Sequence, residues 1–383
     1  MLNFSRENTG SVAKWWRNVD KQILFSFIIL FFLGLFFSFS STSSVVAEKM
    51  NKQTYFFFTK HLVFVVISLI LLISISVQQK KKLIKILPFI FLISIFLLFL
   101  VPFIGVEVKG SKRWMDLPLL PRFQPVEFVK PLFIVVAISI QDKKTLIKFL
   151  PFIFFISFLF LSLVPIFGIE VKGSKRWMEI PFLPRFQPVE LVKPMFIIFI
   201  SKIIILNEKI GIYKRYLYSF VVLFIIALFL INQPDLGQTL LLVSTWTTMI
   251  FVSGFNMTIL TILIFLFLII FGFLIFFFPE KFGYVFLRIK TFIDPKSGDD
   301  FQSQKALDAI KQGGLTGQGM GEGILKEKVP EAHTDYIIAV ISEEFGAILV
   351  FFILILFLFI GYKVINKIFL EKDEFIKLAL SGL

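Results

Sequence analysis

Residues 256–278 read NMTILTILIFLFLIIFGFLIFFF, an apolar stretch without a single charged residue. About 20 consecutive apolar residues cross the hydrocarbon core of a bilayer as a helix, so this stretch predicts a transmembrane helix. Similar blocks, some short and three carrying charges, recur at 23–43, 62–78, 86–105, 125–140, 149–168, 188–206, 216–232, 237–254 and 336–361. The sequence therefore predicts an all-α protein, a polytopic transmembrane helical bundle of about ten spans.

The composition agrees with a membrane protein and excludes several other classes. Of the 383 residues, 57% are hydrophobic and only 17% are charged, whereas about a quarter of the residues in a soluble domain are charged. The net charge is +14, but no basic soluble domain carries it, so we expect no nucleic-acid partner. The chain has no cysteine, which excludes disulfides, thiolate metal sites and cysteine nucleophiles.

The distribution of lysine and arginine predicts the orientation in the membrane. Basic residues cluster before the first span and after the second, fourth, sixth and last spans. The positive-inside rule places these clusters in the cytoplasm, so we expect a cytoplasmic N-terminus. The segment 279–335 is then a long extracytoplasmic loop before the last span. Loops of this length are usually functional or disordered, and we expect this one to carry the chemistry.

The predicted series of spans contains a tandem repeat with an offset of 63 residues. Residues 106–133 read VEVKGSKRWMDLPLLPRFQPVEFVKPLF, and residues 169–196 read IEVKGSKRWMEIPFLPRFQPVELVKPMF, identical at 22 of 28 positions. The duplicated hairpins, 84–146 and 147–209, each cross the membrane twice, so the orientation of everything downstream is unchanged. Because interiors are close-packed and two copies cannot fill one packed site, we expect one hairpin in the functional position and the other at the periphery.

Four sequence blocks, in this order, resemble the SEDS family of FtsW and RodA. They are GSKRW with RFQPVE and KP in both repeats, QPDLG at 233–237, PEAHTD at 330–335 and EEFG at 343–346. The Ser-Thr-Ser sequence at 41–43 and GQGMGEG at 317–323 resemble the division-specific FtsW branch more than the RodA branch. Two features depart from the family: the GSKRW block occurs twice, and a C-terminal stretch like LPxKGxTLPFISYGGSS is missing. The chain looks like a C-terminally truncated member with one hairpin duplicated.

The resemblance implies a peptidoglycan glycosyltransferase of the inner (plasma) membrane that polymerises lipid II during cell division. Lipid II is the undecaprenyl-diphosphate disaccharide-peptide, and the implied partners are a class B penicillin-binding protein transpeptidase and other membrane proteins of the divisome. The alternatives are a lipid II flippase and an inactive scaffold of the division complex. No cofactor is identified; Mg²⁺ or Mn²⁺ would suit a diphosphate leaving group, although the sequence contains no dedicated acidic cluster for one.

The catalytic residue implied by the resemblance is Asp299, with Asp300 and Asp294 as alternatives. All three lie in FIDPKSGDDFQ, residues 292–302, shortly before an aromatic–Gln pair. Taken alone the stretch is typical of a turn, because Asp-Pro and Gly-Asp are common turn formers. A carboxylate in this loop could take the proton of the sugar hydroxyl as a general base while the new glycosidic bond forms.

The other charged and polar residues of these blocks are candidate substrate ligands with structural alternatives. Basic residues of the outer loops could stabilise the departing diphosphate, or anchor at the interface beside Trp114 and Trp177. In each repeat, the glutamate and lysine that lie three residues apart are expected to form an ion pair, which lowers the free-energy cost of placing charge in the membrane. We expect His333, together with Asp335, to cap or orient the start of a helix rather than to act as a base or metal ligand. We expect a similar structural role for Asp235.

The candidate substrate-binding residues fall in three groups. The first two groups lie in the repeats, and the third lies in the external loop and at the start of the last span, where Glu343 and Glu344 need partners such as Arg288 or Lys290. The complete set is Lys112, Arg113, Gln124, Glu127 and Lys130, then Lys175, Arg176, Gln187, Glu190 and Lys193, and finally Gln302, Glu331, His333, Asp335, Glu343 and Glu344.

Overall fold

The structure, a computed structural model, divides the chain into two compact units. The first unit comprises Met1–Gln79 with Val285–Asn366, and the second comprises Lys80–Tyr284 with Lys367–Leu383. The residues that the structure describes are 10–41, 56–108, 111–116, 123–127, 129, 132, 143–171, 174–179, 186–206, 210–233, 235–277, 301–325 and 336–383.

Helices form where the apolar blocks predict them. In chain order they are α1 (Ser11–Asn18), α2 (Lys21–Ser41), α3 (Phe56–Val77), α4 (Lys80–Ile104), α5 (Lys143–Phe167), α6 (Pro188–Ser201), α7 (Ile212–Asn232), α8 (Leu236–Val252), α9 (Met257–Phe277), α10 (Phe301–Gly313), α11 (Ile337–Phe369) and α12 (Glu374–Ser381). A π-helical turn, Lys202–Leu206, extends α6. Helices cover nine of the ten predicted spans, and the tenth, 125–140, lies mostly outside the described residues.

Several of these helices suit a membrane by length and composition. Within the described part of the chain, four are long and apolar enough to cross one, at Lys21–Phe39, Leu150–Phe167, Ile212–Asn232 and Ile337–Phe369. Shorter apolar helices lie at His61–Val77, Lys85–Val101, Leu236–Val252 and Met257–Ile270. The chain is therefore a multi-pass helical membrane protein, as predicted.

Each repeat also contains a short β-hairpin that the all-α prediction omitted. The strands are β1 (Val106–Val108), β2 (Ser111–Trp114), β3 (Ile169–Val171) and β4 (Ser174–Trp177). They pair antiparallel as β1 with β2 and β3 with β4, which sets Glu170 opposite Lys175 in the second hairpin. Opposite charges directly across a strand pair stabilise such small ladders, and runs of three or four residues are too short to show as a pattern in the sequence.

The core of the second unit lies around α6. This helix packs on α5, α8 and α12, and α7 packs on α8. Phe196, Ile200, Ile226 and Leu230 are fully buried in this core. The second copy of the repeat supplies α5 and α6, so one copy of the duplicated sequence forms the centre of the unit.

The first unit is built around α2, α3 and α11. Helix α2 packs along α3, and Phe37 of α2 is buried with Ile341 and Ile353 of α11. The ring of Phe345 lies 5.8 Å from that of Phe37. At the other end of the helical pair, Trp15 Nε1 donates a hydrogen bond to Ser76 Oγ at 2.8 Å, which ties α1 to the end of α3.

Candidate functional site

The QPDLG turn before α8 is a polar centre in the second unit. Asp235 is only 6% exposed. Its carboxylate lies 3.8 Å from Arg176 (Oδ1 to Nη1) and accepts a hydrogen bond from Gln187 Nε2 at 3.3 Å. Arg176 Nε also donates to the main-chain carbonyl of Gln233 at 3.2 Å. The GSKRW and RFQPVE blocks of the second repeat therefore converge on this turn.

Asp235 starts α8 through its main chain. Its main-chain carbonyl accepts hydrogen bonds from the Thr239 amide at 3.1 Å and the Thr239 hydroxyl at 2.8 Å. Its side chain makes no capping hydrogen bond, so Asp235 has the predicted structural role at the start of α8 through its main chain. The carboxylate instead faces Arg176 and Gln187, because a guanidinium binds a carboxylate more strongly than a neutral amide does.

Glu190 and Lys193 form the ion pair that their spacing predicts. Lys193 Nζ lies 2.8 Å from Glu190 Oε1 on the first turns of α6. Both side chains are partly exposed, at 22% for Lys193 and 24% for Glu190. The same Glu190 oxygen accepts a hydrogen bond from Gln238 Nε2 of α8 at 3.4 Å. Two neighbouring helices therefore hold this carboxylate.

A cavity of about 480 Å³ opens beside this ion pair. Its charged lining residues are Glu190 and Lys193, near the start of α6, and Glu127 from the first repeat. Its apolar lining includes Ile197, about two turns further along α6, and Leu242 of α8. A site lined by both charged and apolar side chains suits an amphiphilic ligand with a polar head and a hydrocarbon chain.

The equivalent residues of the first repeat are placed less completely. Gln124 is half-buried and Glu127 is exposed. Lys112 and Arg113 lie on β2, and Lys175 of the second repeat is exposed on β4. Lys130 lies outside the described residues.

A second polar site, in the first unit, surrounds Glu343 and Glu344. Both are buried, at 0% and 1% exposure. The Leu325 amide donates to Glu343 Oε1 at 2.7 Å, so one partner of Glu343 is a main-chain group. The suggested partners Arg288 and Lys290 lie outside the described residues.

A break in α11 at Gly346 shapes this second site. Gly346 has φ +83 and ψ 173, a conformation that suits glycine. Two amides of the glycine-rich loop 313–323 bind the carbonyls freed by the break: Gln318 N to Glu343 O at 2.9 Å and Gly319 N to Glu344 O at 3.0 Å. In return, the Ala347 amide binds the Gly314 carbonyl at 2.9 Å. The loop and the broken helix therefore hold each other through main-chain atoms.

Several predicted residues lie where the structure gives no description. Gln302 lies in the first turn of α10, and only its backbone is described. The residues outside the described ranges are Asp294, Asp299, Asp300, Glu331, His333 and Asp335. Within those ranges, no three His, Cys, Asp or Glu side chains lie close enough to share a metal ion.

Gln238 is a site residue that the sequence motifs did not indicate. Its position could have been found from helical spacing, because it precedes the cavity-lining Leu241, Leu242 and Thr245 by three, four and seven residues on α8. Positions with that spacing share one helix face. Its partner Glu190 could not be found in the same way, because the two residues are distant in the chain.

Comparison with known proteins identifies the family. The model of the FtsW, RodA and SpoVE family, described as a cell cycle protein, matches residues 21–148 and 132–383. The chain belongs to this family. The two matches overlap at 132–148, where the first duplicated hairpin passes into the second. The predicted resemblance to the FtsW/RodA family is therefore confirmed.

Three relatives of this chain are each named probable peptidoglycan glycosyltransferase FtsW. The protein from Caulobacter vibrioides is 27% identical over 99% of this chain and 80% of its own length. The one from Haemophilus influenzae is 30% identical over 88% of this chain and 70% of its own. For Haemophilus ducreyi the identity is 36%, over 56% of this chain and 54% of the relative.

Two solved structures are similar to this chain at low sequence identity. The crystal structure of the Thermus thermophilus rod shape determining protein RodA is 20% identical, with a TM-score of 0.41 over 77% of this chain and 78% of that one. A chain from a peptidoglycan synthase complex is also 20% identical, with a TM-score of 0.48 over 67% of this chain and 72% of that one.

Proposed function

We propose that this protein is a peptidoglycan glycosyltransferase that polymerises lipid II during cell division. The observation that carries the proposal is the cavity of the second unit, whose lining combines the charged Glu190 and Lys193 with apolar side chains. Lipid II likewise combines a polar head with an apolar prenyl chain. Family membership and the FtsW names of the relatives support this reaction.

The proposed reaction joins two glycan units and releases the lipid carrier. The 4-hydroxyl oxygen of an incoming disaccharide bonds to the anomeric carbon of the growing chain, with inversion. The bond from that carbon to the undecaprenyl diphosphate breaks, and the diphosphate leaves with the electron pair. In this scheme the Asp299 carboxylate takes the hydroxyl proton, a step typically worth about 10²–10⁴ in rate. Mg²⁺ or Mn²⁺, if bound, would compensate the charge of the departing diphosphate.

The proposed setting is the inner membrane, with a cytoplasmic N-terminus. A class B penicillin-binding protein transpeptidase and other divisome membrane proteins are the proposed partners. Because the chain has no cysteine, single-cysteine variants report orientation without interference. A membrane-impermeant thiol reagent on intact cells should label Leu315→Cys, whose side chain is 70% exposed, and should not label Lys81→Cys. The reverse pattern would contradict this orientation.

Polymerisation of purified lipid II, followed by gel analysis of glycan length, tests the enzyme assignment. Asp299→Asn keeps the side-chain size but cannot accept a proton, so product should fall by at least about 100-fold. Asp300→Asn and Asp294→Asn should have smaller effects. Loss of polymerisation in Asp300→Asn alone would identify Asp300 rather than Asp299 as the general base.

A matched pair of lysine variants tests the cavity. Lys193→Met removes the cation that lines the cavity and pairs with Glu190, so it should lower polymerisation. Lys377→Met is the control, because Lys377 also pairs with a glutamate three residues away, at 3.4 Å from Glu374, but does not line the cavity. Translocation of lipid II by a wild-type protein that makes no polymer would instead indicate a flippase, and a protein with neither activity would indicate a scaffold.

A further inference from the structure

Helix α1, at the start of the first unit, has a polar face and an aromatic one. Lys14, Arg17 and Asn18 are exposed, and their spacing of three and four residues places them on one side of the helix. Trp15 and Trp16 project from the rest of the helix surface and are half-buried. The short helix is therefore amphipathic, with its cations directed to solvent and its indoles directed to the protein and its surroundings.

The charge of this region is positive. Residues 10–41, which comprise α1 and α2, contain three basic residues and one acidic residue, a net charge of +2: Lys14, Arg17 and Lys21 against Asp20. The Asp20 carboxylate accepts hydrogen bonds from the amides of Gln22 at 3.1 Å and Ile23 at 3.2 Å, so it caps the start of α2. The exposed side of α1 is therefore a surface that attracts anions.

Two connections hold α1 at the level of the membrane surface. Only Val19 and Asp20 separate it from α2, whose stretch Lys21–Phe39 is long and apolar enough to cross a membrane. Two residues reach at most about 7 Å, roughly the thickness of one headgroup layer. In addition, Trp15 Nε1 donates to Ser76 Oγ at 2.8 Å, one residue before the end of α3. Helix α1 thus lies beside the ends of both apolar helices.

The aromatic contacts of Trp16 favour lipid over an acidic protein segment as the partner of this surface. Lys21 Nζ lies 5.1 Å from the centroid of the Trp16 ring, and the same ring meets Phe25 edge-on, with centroids 6.2 Å apart. Phe25 is exposed on the first turns of α2. Cation, indole and phenyl ring therefore follow one another from α1 into the apolar helix, an order that suits headgroups, the interface and hydrocarbon in turn.

We propose that α1 is an interfacial helix that binds anionic phospholipids, with Lys14, Arg17 and the neighbouring Lys21 facing the lipid phosphates. A cation near a membrane surface strengthens the binding of anionic lipid about fivefold, so this cluster selects such lipids over zwitterionic ones. In the orientation proposed above, the site lies in the cytoplasmic leaflet. Binding there would hold the adjoining ends of α2 and α3 at a fixed depth in the membrane, independently of any reaction that the protein catalyses.

Fluorescence quenching beside α1 tests the proposal in nanodiscs that contain equal amounts of phosphatidylglycerol and phosphatidylcholine. Because the chain has no cysteine, Asn18→Cys places a bimane label at one position of the full chain. A nitroxide-labelled form of one lipid or the other, in separate samples, measures the local concentration of that lipid. Phosphatidylglycerol should be enriched at least about fivefold. The enrichment should fall toward one at about 1 M salt, where the Debye length is about 3 Å.

Two double variants of the labelled chain separate the site from general surface charge. Lys14→Gln with Arg17→Gln should bring the enrichment close to one while the melting temperature stays unchanged, because both side chains are exposed. Lys363→Gln with Lys367→Gln removes the same charge from the last turns of α11 and should leave the enrichment unchanged. An equal loss in both double variants would overturn the proposal. Equal quenching by the two lipids without either double substitution would also overturn it, and would point to an acidic protein segment instead.

Discussion

Where both are described, the two hairpins of the repeat have the same local structure in different surroundings. The amide of Gly105 binds the Val101 carbonyl at 2.7 Å, and the amide of Gly168 binds the Val164 carbonyl at the same distance. The Met–Phe main-chain bridge that follows each β-hairpin has bonds of 2.9 and 3.1 Å in both copies. Nearly identical sequence thus gives nearly identical backbone.

Burial separates the two copies. Leu161 of α5 is 0% exposed, whereas its counterpart Leu98 of α4 is partly exposed. Leu150 is likewise fully buried, and its counterpart Leu87 is partly exposed. Local sequence therefore determines the shape of each hairpin, and the neighbouring helices determine which copy becomes core.

The largest expected difference comes from deleting one copy at a time. Deletion of 84–146 should leave a chain that inserts and folds, because the core hairpin remains. Deletion of 147–209 should abolish folding, since the sequence that would replace it has Ala137 for Ile200 and Gln141 for Ile204. Those changes leave a cavity and an unpaired polar group in the core.

Size-exclusion chromatography and thermal unfolding in detergent measure both deletion variants. Equal stability of the two would show that the copies are interchangeable. Failure of both to insert would show that the repeat is integral to the fold.

A matched leucine pair tests the core assignment at single-residue resolution. Leu161→Ala should lower the free energy of unfolding by about 2–5 kcal/mol, because the surrounding helices cannot close the space. Leu98→Ala should cost roughly 1 kcal/mol or less, since lipid or detergent can fill the surface. Reversible unfolding in mixed micelles gives both values, and a larger cost at Leu98 would reverse the roles of the copies.

The arginine of each GSKRW block gives an intermediate effect. Arg176→Gln removes the guanidinium that meets Asp235 and the Gln233 carbonyl, which should cost about 1–3 kcal/mol of unfolding free energy. Arg113→Gln should cost less, because the QPDLG turn is already occupied by the second copy. Adding Asp235→Asn to Arg176→Gln should recover part of the loss, and no recovery would show that the two side chains are not coupled.

The smallest difference in stability between the two copies is expected at the glycine that ends the helix before each β-hairpin, where the backbone geometry is the same. A Cβ at Gly168 would overlap the Val164 carbonyl oxygen, and a Cβ at Gly105 would overlap that of Val101. Gly168→Ala and Gly105→Ala should therefore each destabilise by about 1 kcal/mol, with nearly equal melting temperatures. A clear gap between them would mean that surroundings alter even the hairpin geometry.

Much of the fold could be predicted from the sequence because lipid imposes a length and a polarity on each span. Helices such as α2 and α9 follow their apolar blocks closely. The Glu190–Lys193 pair followed from its i,i+3 spacing. Burial of one repeat rather than the other could not be predicted, because it depends on packing against α7, α8 and α12 and not on the repeat itself.

Parts of the candidate site were also beyond sequence reasoning. The break at Gly346 lies inside a continuous apolar helix, so hydropathy predicts one uninterrupted span. The side-chain partners of Asp235, Arg176 and Gln187, could not be predicted because they are distant in the chain. Catalysis by Asp299 and the ligand roles of the motif residues stay predictions.

The reciprocal main-chain hydrogen bonds at Gly346 have a consequence for how this region tolerates change. Every residue type except proline has the same main-chain amide and carbonyl, so most side chains around the break can be replaced without weakening these hydrogen bonds. The glycines are the exception: a Cβ on Gly317 would overlap the Glu344 carbonyl, and one on Gly346 would overlap that of Leu315. Saturation mutagenesis of this region should thus yield a permissive background interrupted by sharply intolerant glycine positions.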